Sequence, residues 1–119
     1  MVATDWKDIG LEILDDSDFS GSRLKRGGRY IVCFGATWCP VTRRFMPNFV
    51  AEQGKLSGTL AIADITSYDS SLWDDFRIRI TPSVIVFQEG EVHFRIDGRR
   101  WIGVSRSALA QLEDAYRRS

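Results

Sequence analysis

The residues that could do chemistry in this 119-residue chain lie mostly in one stretch, FGATWCPVTRRFMP, residues 34–47. Cys39 follows Trp38 and precedes Pro40. Proline is tolerated in a first helical turn, where its missing N–H would have no partner anyway. Cys39 is therefore expected at a helix N-terminus, where the helix dipole and free backbone N–H groups stabilise a thiolate. Three residues on, where a second cysteine would complete a redox pair, stands Thr42. Its hydroxyl can lie near the Cys39 sulfur and donate a hydrogen bond to it. Arg43 and Arg44 add positive charge nearby, with side chains directed to solvent. The pattern predicts a thiol of depressed pKa with no second sulfur to resolve what it forms. The competing reading is an inert cysteine on an inherited scaffold.

The other titratable groups offer less. Cys33 sits in an apolar run and reads as a small buried hydrophobe. Pairing it with Cys39 would need Cα atoms within ~7 Å, and the intervening residues 34–38 make that unexpected. Two cysteines and one histidine, His93, make neither a disulfide framework nor a zinc site, so no metal is expected. His93 lies near a hairpin, away from Cys39, and has no assigned role. Asp74 and Asp75 read as a solvated helix face.

The elements that must position Cys39 can be read from the hydrophobic pattern. Residues 11–14 read as a short strand, and residues 15–27, which open on N-cap types and end in glycine, as a short helix. Residues 29–36, RYIVCFGA, form a near-continuous apolar run, the mark of a central strand buried on both faces. The helix after Cys39 carries Val41, Phe45, Phe49 and Val50 at helical spacing, with Pro47 inside it. Residues 59–65 suggest a second buried strand and residues 68–78 a short helix with Ser70 or Asp69 near its cap. Residues 83–98 suggest two strands joined at Glu89-Gly90. Residues 105–119 suggest a serine-capped helix with Leu109, Leu112 and Tyr116 on one face. The expected order is β-α-β-α-β-α-β-β-α, an α/β chain with a mixed central sheet and helices on both faces, in a single domain over residues 1–119.

Bulk properties narrow the partners. The chain carries 16 basic and 16 acidic side chains, which argues against broad binding to nucleic acid or an anionic membrane. No apolar run approaches the ~20 residues of a membrane span. Residues 1–10 carry Asp5, Lys7 and Asp8 and no apolar core, so no signal peptide is expected and a cytoplasmic location is.

This order, with Trp38-Cys39 after a central strand, Pro47 in the next helix, Thr81-Pro82 before the hairpin, Glu89-Gly90 in its turn and Gly98 beyond it, resembles the thioredoxin-like family. The resemblance runs from about Ile13 to Tyr116. It implies that Cys39 attacks a disulfide and that Thr42 replaces the cysteine that would resolve the mixed disulfide. It also implies a cis Pro82, with the Thr81 backbone pairing with an extended substrate beside Trp38, Pro40 and Pro82. Where the family keeps a buried acid and a lysine, this chain has Cys33 and Ile62. Gly35 stands where relatives commonly carry a bulky aromatic, which suggests a looser region near the motif. Trp73 and Trp101 are assigned to packing. The expected function is monothiol exchange with protein thiols or disulfides, without a bound cofactor and with glutathione as a candidate external thiol. The double glycine of glutaredoxins is missing after Pro82. The alternative is a redox-inactive module that holds a partner peptide.

Overall fold

The computed structural model describes residues 6–118; the first five residues and Ser119, the expected end of the last helix, lie outside them. The central strand is β4, Arg29–Gly35. Ile31 and Cys33 face one core layer, Val32 and Phe34 the other. That two-sided burial is why the run is apolar without alternation. On one side β4 pairs in parallel with β5, Thr59–Asp64, and β5 with β1, Glu12–Leu14. On the other side it pairs antiparallel with β6, Ser83–Gln88, which turns back into β7, Glu91–Ile96. The sheet order β1-β5-β4-β6-β7 is the mixed sheet expected. In the β6–β7 turn Glu89 and Gly90 both take left-handed backbone, φ 51° and 84°, as a two-residue hairpin of type I′ demands.

Helices cover both faces. Phe45, Met46 and Phe49 of α1, Pro40–Val50, pack with Leu109 and Leu112 of α3, Arg106–Arg118, on Ile31, Cys33, Ile62 and Val84. Ser105 caps α3 by accepting the Ala108 N–H at 3.1 Å. On the opposite face α2, Leu72–Asp75, adds Leu72 to an aromatic layer that contains Phe19, Phe34, Phe76 and Phe87. The Phe34 and Phe76 rings lie 5.0 Å apart, and Phe76 meets Phe87 edge-on at 5.6 Å. Among the described residues, no helix is long and apolar enough to cross a membrane.

The helix expected at residues 15–27 does not form. Its place holds a 3₁₀ turn, Asp16–Asp18, and a small hairpin of β2, Phe19–Ser20, and β3, Arg23–Leu24. Phe19 and Leu24 are the two large apolar side chains of that segment, and they fall on different faces of a helix. In the hairpin they are direct cross-strand partners, both buried in the aromatic layer. α2 is also shorter than the expected span of 68–78; Ser71 stands at its cap, and the adjacent Ser70 hydroxyl accepts the Leu72 N–H at 3.3 Å. The Asp16 carboxylate takes the Ser71 N–H at 3.0 Å and the Ser70 hydroxyl. At the other end Arg77 turns to φ 51° and the Ile78 N–H closes on the Trp73 carbonyl at 2.9 Å, a Schellman-type stop.

Candidate functional site

Cys39 is the capping residue of α1, with extended backbone (φ −90°, ψ 115°), and Pro40 opens the helix. The Cys39 thiol is largely buried at the floor of a groove and donates to the Thr81 carbonyl, 3.6 Å away. Thr81 reaches it from the loop before β6, where the Thr81–Pro82 peptide is cis. Burial pushes the Cys39 pKa up, but the Thr42 hydroxyl, the Thr81 hydroxyl and the backbone N–H groups of Thr42 and Val41 outweigh it. Together they hold the thiol below its ordinary value. The two N–H groups are the free donors of the first helical turn.

Thr42 explains more than its position suggests. Its side chain is fully buried, and its Oγ1 has no hydrogen-bond partner while Cys39 is a neutral thiol. Such an orphan costs about 1–3 kcal/mol. Ionisation of Cys39 supplies the missing acceptor, so part of that cost is recovered in the thiolate state. The region around Gly35 is not loose, contrary to the expectation. A Cβ on Gly35 would lie 2.5 Å from the Thr42 methyl. The branched Thr42 side chain fills the space that a larger residue at position 35 would need.

Trp38 forms the near wall of the groove. Its indole N–H donates to the Thr66 carbonyl at 2.9 Å, and its ring stacks on Tyr68 (5.2 Å) and Trp73 (6.3 Å). Trp101 also lines the groove and is 79% exposed although its backbone takes φ 67°. A left-handed tryptophan costs on the order of 1–3 kcal/mol. The Arg99–Gly103 bridge and a 2.9 Å hydrogen bond from Arg44 to the Trp101 carbonyl hold it there. The groove has a volume of about 730 Å³ and is lined by Trp38, Cys39, Pro40 and Thr81, while Thr42 and Pro82 are not among its lining residues. Tyr68, Trp73, Arg79, Arg100 and Trp101 also line it; Trp73 packs on the aromatic layer as expected, but the exposure of Trp101 corrects its assignment to packing. Their convergence is hidden in the sequence because they come from separate loops; a tryptophan inside the polar, glycine-bounded stretch GRRWIG is the one signal of it. Arg43 is half-buried rather than free in solvent, with Nη1 3.5 Å from the Thr37 carbonyl.

Cys33 behaves as expected of a buried hydrophobe. It is enclosed beside the Met46 sulfur at 3.7 Å, pairs in register with Ile62, and burial pushes its pKa well up. Both cysteines are free. Among the described residues, no group of three or more histidine, cysteine or acidic side chains could hold a metal ion.

Comparison with known proteins agrees with this geometry. The chain is 28% identical over 94 residues to protein disulfide-isomerase A5 of Bos taurus, covering 76% of this chain and 18% of that protein. It is 27% identical over 88 residues to protein disulfide-isomerase A3 of Gallus gallus, covering 73% and 17%. The chain thus spans less than a fifth of the length of these curated relatives. Its fold is similar to that of thioredoxin f2 of Chlamydomonas reinhardtii (TM-score 0.73, 16% identity, 92% of this chain and 99% of that one). Mitochondrial thioredoxin 3 of Saccharomyces cerevisiae is also similar (TM-score 0.66, 18% identity, 88% and 94%). The thioredoxin family model matches residues 10–110, and with the sheet, the cis Pro82 and Cys39 at a helix start in place, the chain belongs to the thioredoxin family.

Proposed function

We propose that this protein performs single-cysteine thiol–disulfide exchange on partner proteins. The Cys39 thiolate attacks one sulfur of a partner disulfide. A Cys39–sulfur bond forms, the original S–S bond breaks, and the leaving sulfur departs as a thiolate that takes a proton from solvent. Thr42 has no sulfur to displace the partner. An external thiolate, with glutathione the candidate, then attacks the partner's sulfur, and Cys39 leaves as the thiolate. A reducing, cytoplasmic setting would supply that thiol. The Thr81 backbone aligns an extended partner segment by strand-like pairing, while Trp38, Pro40 and Pro82 flank the sulfur.

The observation that carries this reading is the buried, unpartnered Thr42 hydroxyl beside a thiol held below its ordinary pKa. Relatives named protein disulfide-isomerase support exchange as the reaction class. A groove that only held a peptide would have no use for a stabilised thiolate.

The test is a pH titration of thiolate absorbance joined to insulin disulfide reduction with and without glutathione. The expected result is a Cys39 pKa below the free-thiol value of ~8.5 and exchange that needs glutathione. A pKa at or above that value with no exchange in either condition would overturn the reading. So would capture of partners that Cys39→Ser leaves unchanged.

A further inference from the structure

The charged side chains lining the groove beside Cys39 are Arg79 and Arg100. Neither has a carboxylate partner among the described residues, whereas Arg23, Arg26, Arg95 and Arg117 each do. Beyond Ile80 an adjoining depression continues the charge with Arg77, while Arg95 there is already held by Asp97 at 2.6 Å. The exposed acids of α2, Asp74 and Asp75, do not line the groove. Unpaired cations therefore mark the path an extended chain would take past Thr81.

The apolar walls point to the same kind of occupant. Tyr68 is 77% exposed and Trp38 42%, and they present a stacked platform on one side of the sulfur. Trp101 also lines the groove and is exposed, held in a backbone conformation that a tryptophan rarely adopts. Exposed aromatics around a desolvated floor are the usual anchors of a protein interface. Glutathione carries carboxylates but no apolar side chain to cover these walls.

We propose that the groove selects an extended protein segment in which the target cysteine is flanked on one side by an acidic residue, seated at Arg79 and Arg100. On its other side an apolar or aromatic residue rests on the Trp38 platform or Trp101. This selectivity rests on the exchange reading above and names its partner class.

The test uses short peptides of one length, each with a single cysteine joined to thionitrobenzoate. The neighbour on one side is Glu, Gln or Lys, and on the other Trp or Gly. Cys39 attacks the peptide sulfur and releases the coloured thiolate, whose rate is read. For the intact protein at low salt, the Glu peptide is expected to react on the order of tenfold faster than the Gln peptide, and the Lys peptide slower still. Added salt should compress that ratio. The double variant R79Q/R100Q should remove it, and the double variant W38A/W101A should remove the advantage of Trp over Gly. Equal rates for Glu and Gln peptides, or an unchanged ratio in the double variant, would overturn the proposal and leave the exchange reading standing. If no peptide reacts, the exchange reading fails by itself. Selectivity is then decided by tryptophan fluorescence titration with serine-for-cysteine versions of the Glu and Gln peptides, and equal affinity overturns it. Glutathione joined to thionitrobenzoate outrunning the Glu–Trp peptide, with the same loss in R79Q/R100Q, would overturn the assignment to a protein segment.

Discussion

A hydroxyl at position 42 changes both the resting thiol and the fate of the mixed disulfide it forms. Thr42→Ala removes the donor that the Cys39 thiolate gains, so the Cys39 pKa is expected to rise. Alkylation by an uncharged reagent at neutral pH should slow accordingly, and Thr42→Ser should restore both. A purely steric role for Thr42 would leave serine no better than alanine. Thr42→Cys places a second sulfur one turn along α1, and it should permit an internal disulfide with Cys39, read as loss of both free thiols on oxidation. The contact with Gly35 gives a separate test. Gly35→Ala drives a methyl to 2.5 Å from the Thr42 methyl and is expected to destabilise the fold by about 1–3 kcal/mol. Most of that cost should vanish when Thr42 is serine, a coupling measurable in a double-mutant cycle of denaturant unfolding.

At the scale of elements, the site is assembled by two backbone segments that meet: the start of α1 and the cis loop before β6. Gly98, beyond β7, lets the loop sit where it does, because a Cβ there would run into the Pro82 carbonyl oxygen. The obstacle is backbone and cannot yield cheaply. Gly98→Ala should cost about 3 kcal/mol or more and should raise the Cys39 pKa at the same time, since Thr81 moves with Pro82. Leu14→Ala, far away in β1, should cost a similar amount, about 2–5 kcal/mol, and leave that pKa in place. What the sequence made legible was whatever is local and repetitive. The unbroken apolar run of β4, the Glu89-Gly90 turn and Pro40 after Cys39 each carry their structural reason in adjacent residues. The hairpin at Phe19 and Leu24 was not legible, because two apolar residues match several geometries until the aromatic layer chooses one. Nor was the groove wall, where Tyr68, Trp101 and Arg79 meet only after the whole chain has folded.

For the whole molecule, the two cysteines pull stability in opposite directions with pH. Cys39 is shifted down, so between its folded pKa and the unfolded value of ~8.5 the unfolded chain binds more protons. Stability rises with pH across that window and loses this contribution as pH falls through the folded pKa. Cys33 is shifted up by burial, so above ~8.5 the unfolded chain has released a proton that the folded one keeps, and stability falls. The wild-type protein is therefore expected to show a stability maximum near the free-thiol pKa in urea unfolding. Cys39→Ser should flatten the rising side and Cys33→Ala the falling side, whatever either does to the absolute value.

The Thr42 side chain packed over Gly35 also has an evolutionary consequence. Their contact makes the two positions epistatic, so the order of changes matters. A descendant could trade Thr42 for the unbranched cysteine in one step, since that removes the methyl and offends nothing. It could not first place a large aromatic at 35, because the intermediate would carry a clash in its core. Any path from this site to a two-sulfur site with a bulky neighbour runs through position 42, and the reverse path must clear position 35 before a threonine can enter.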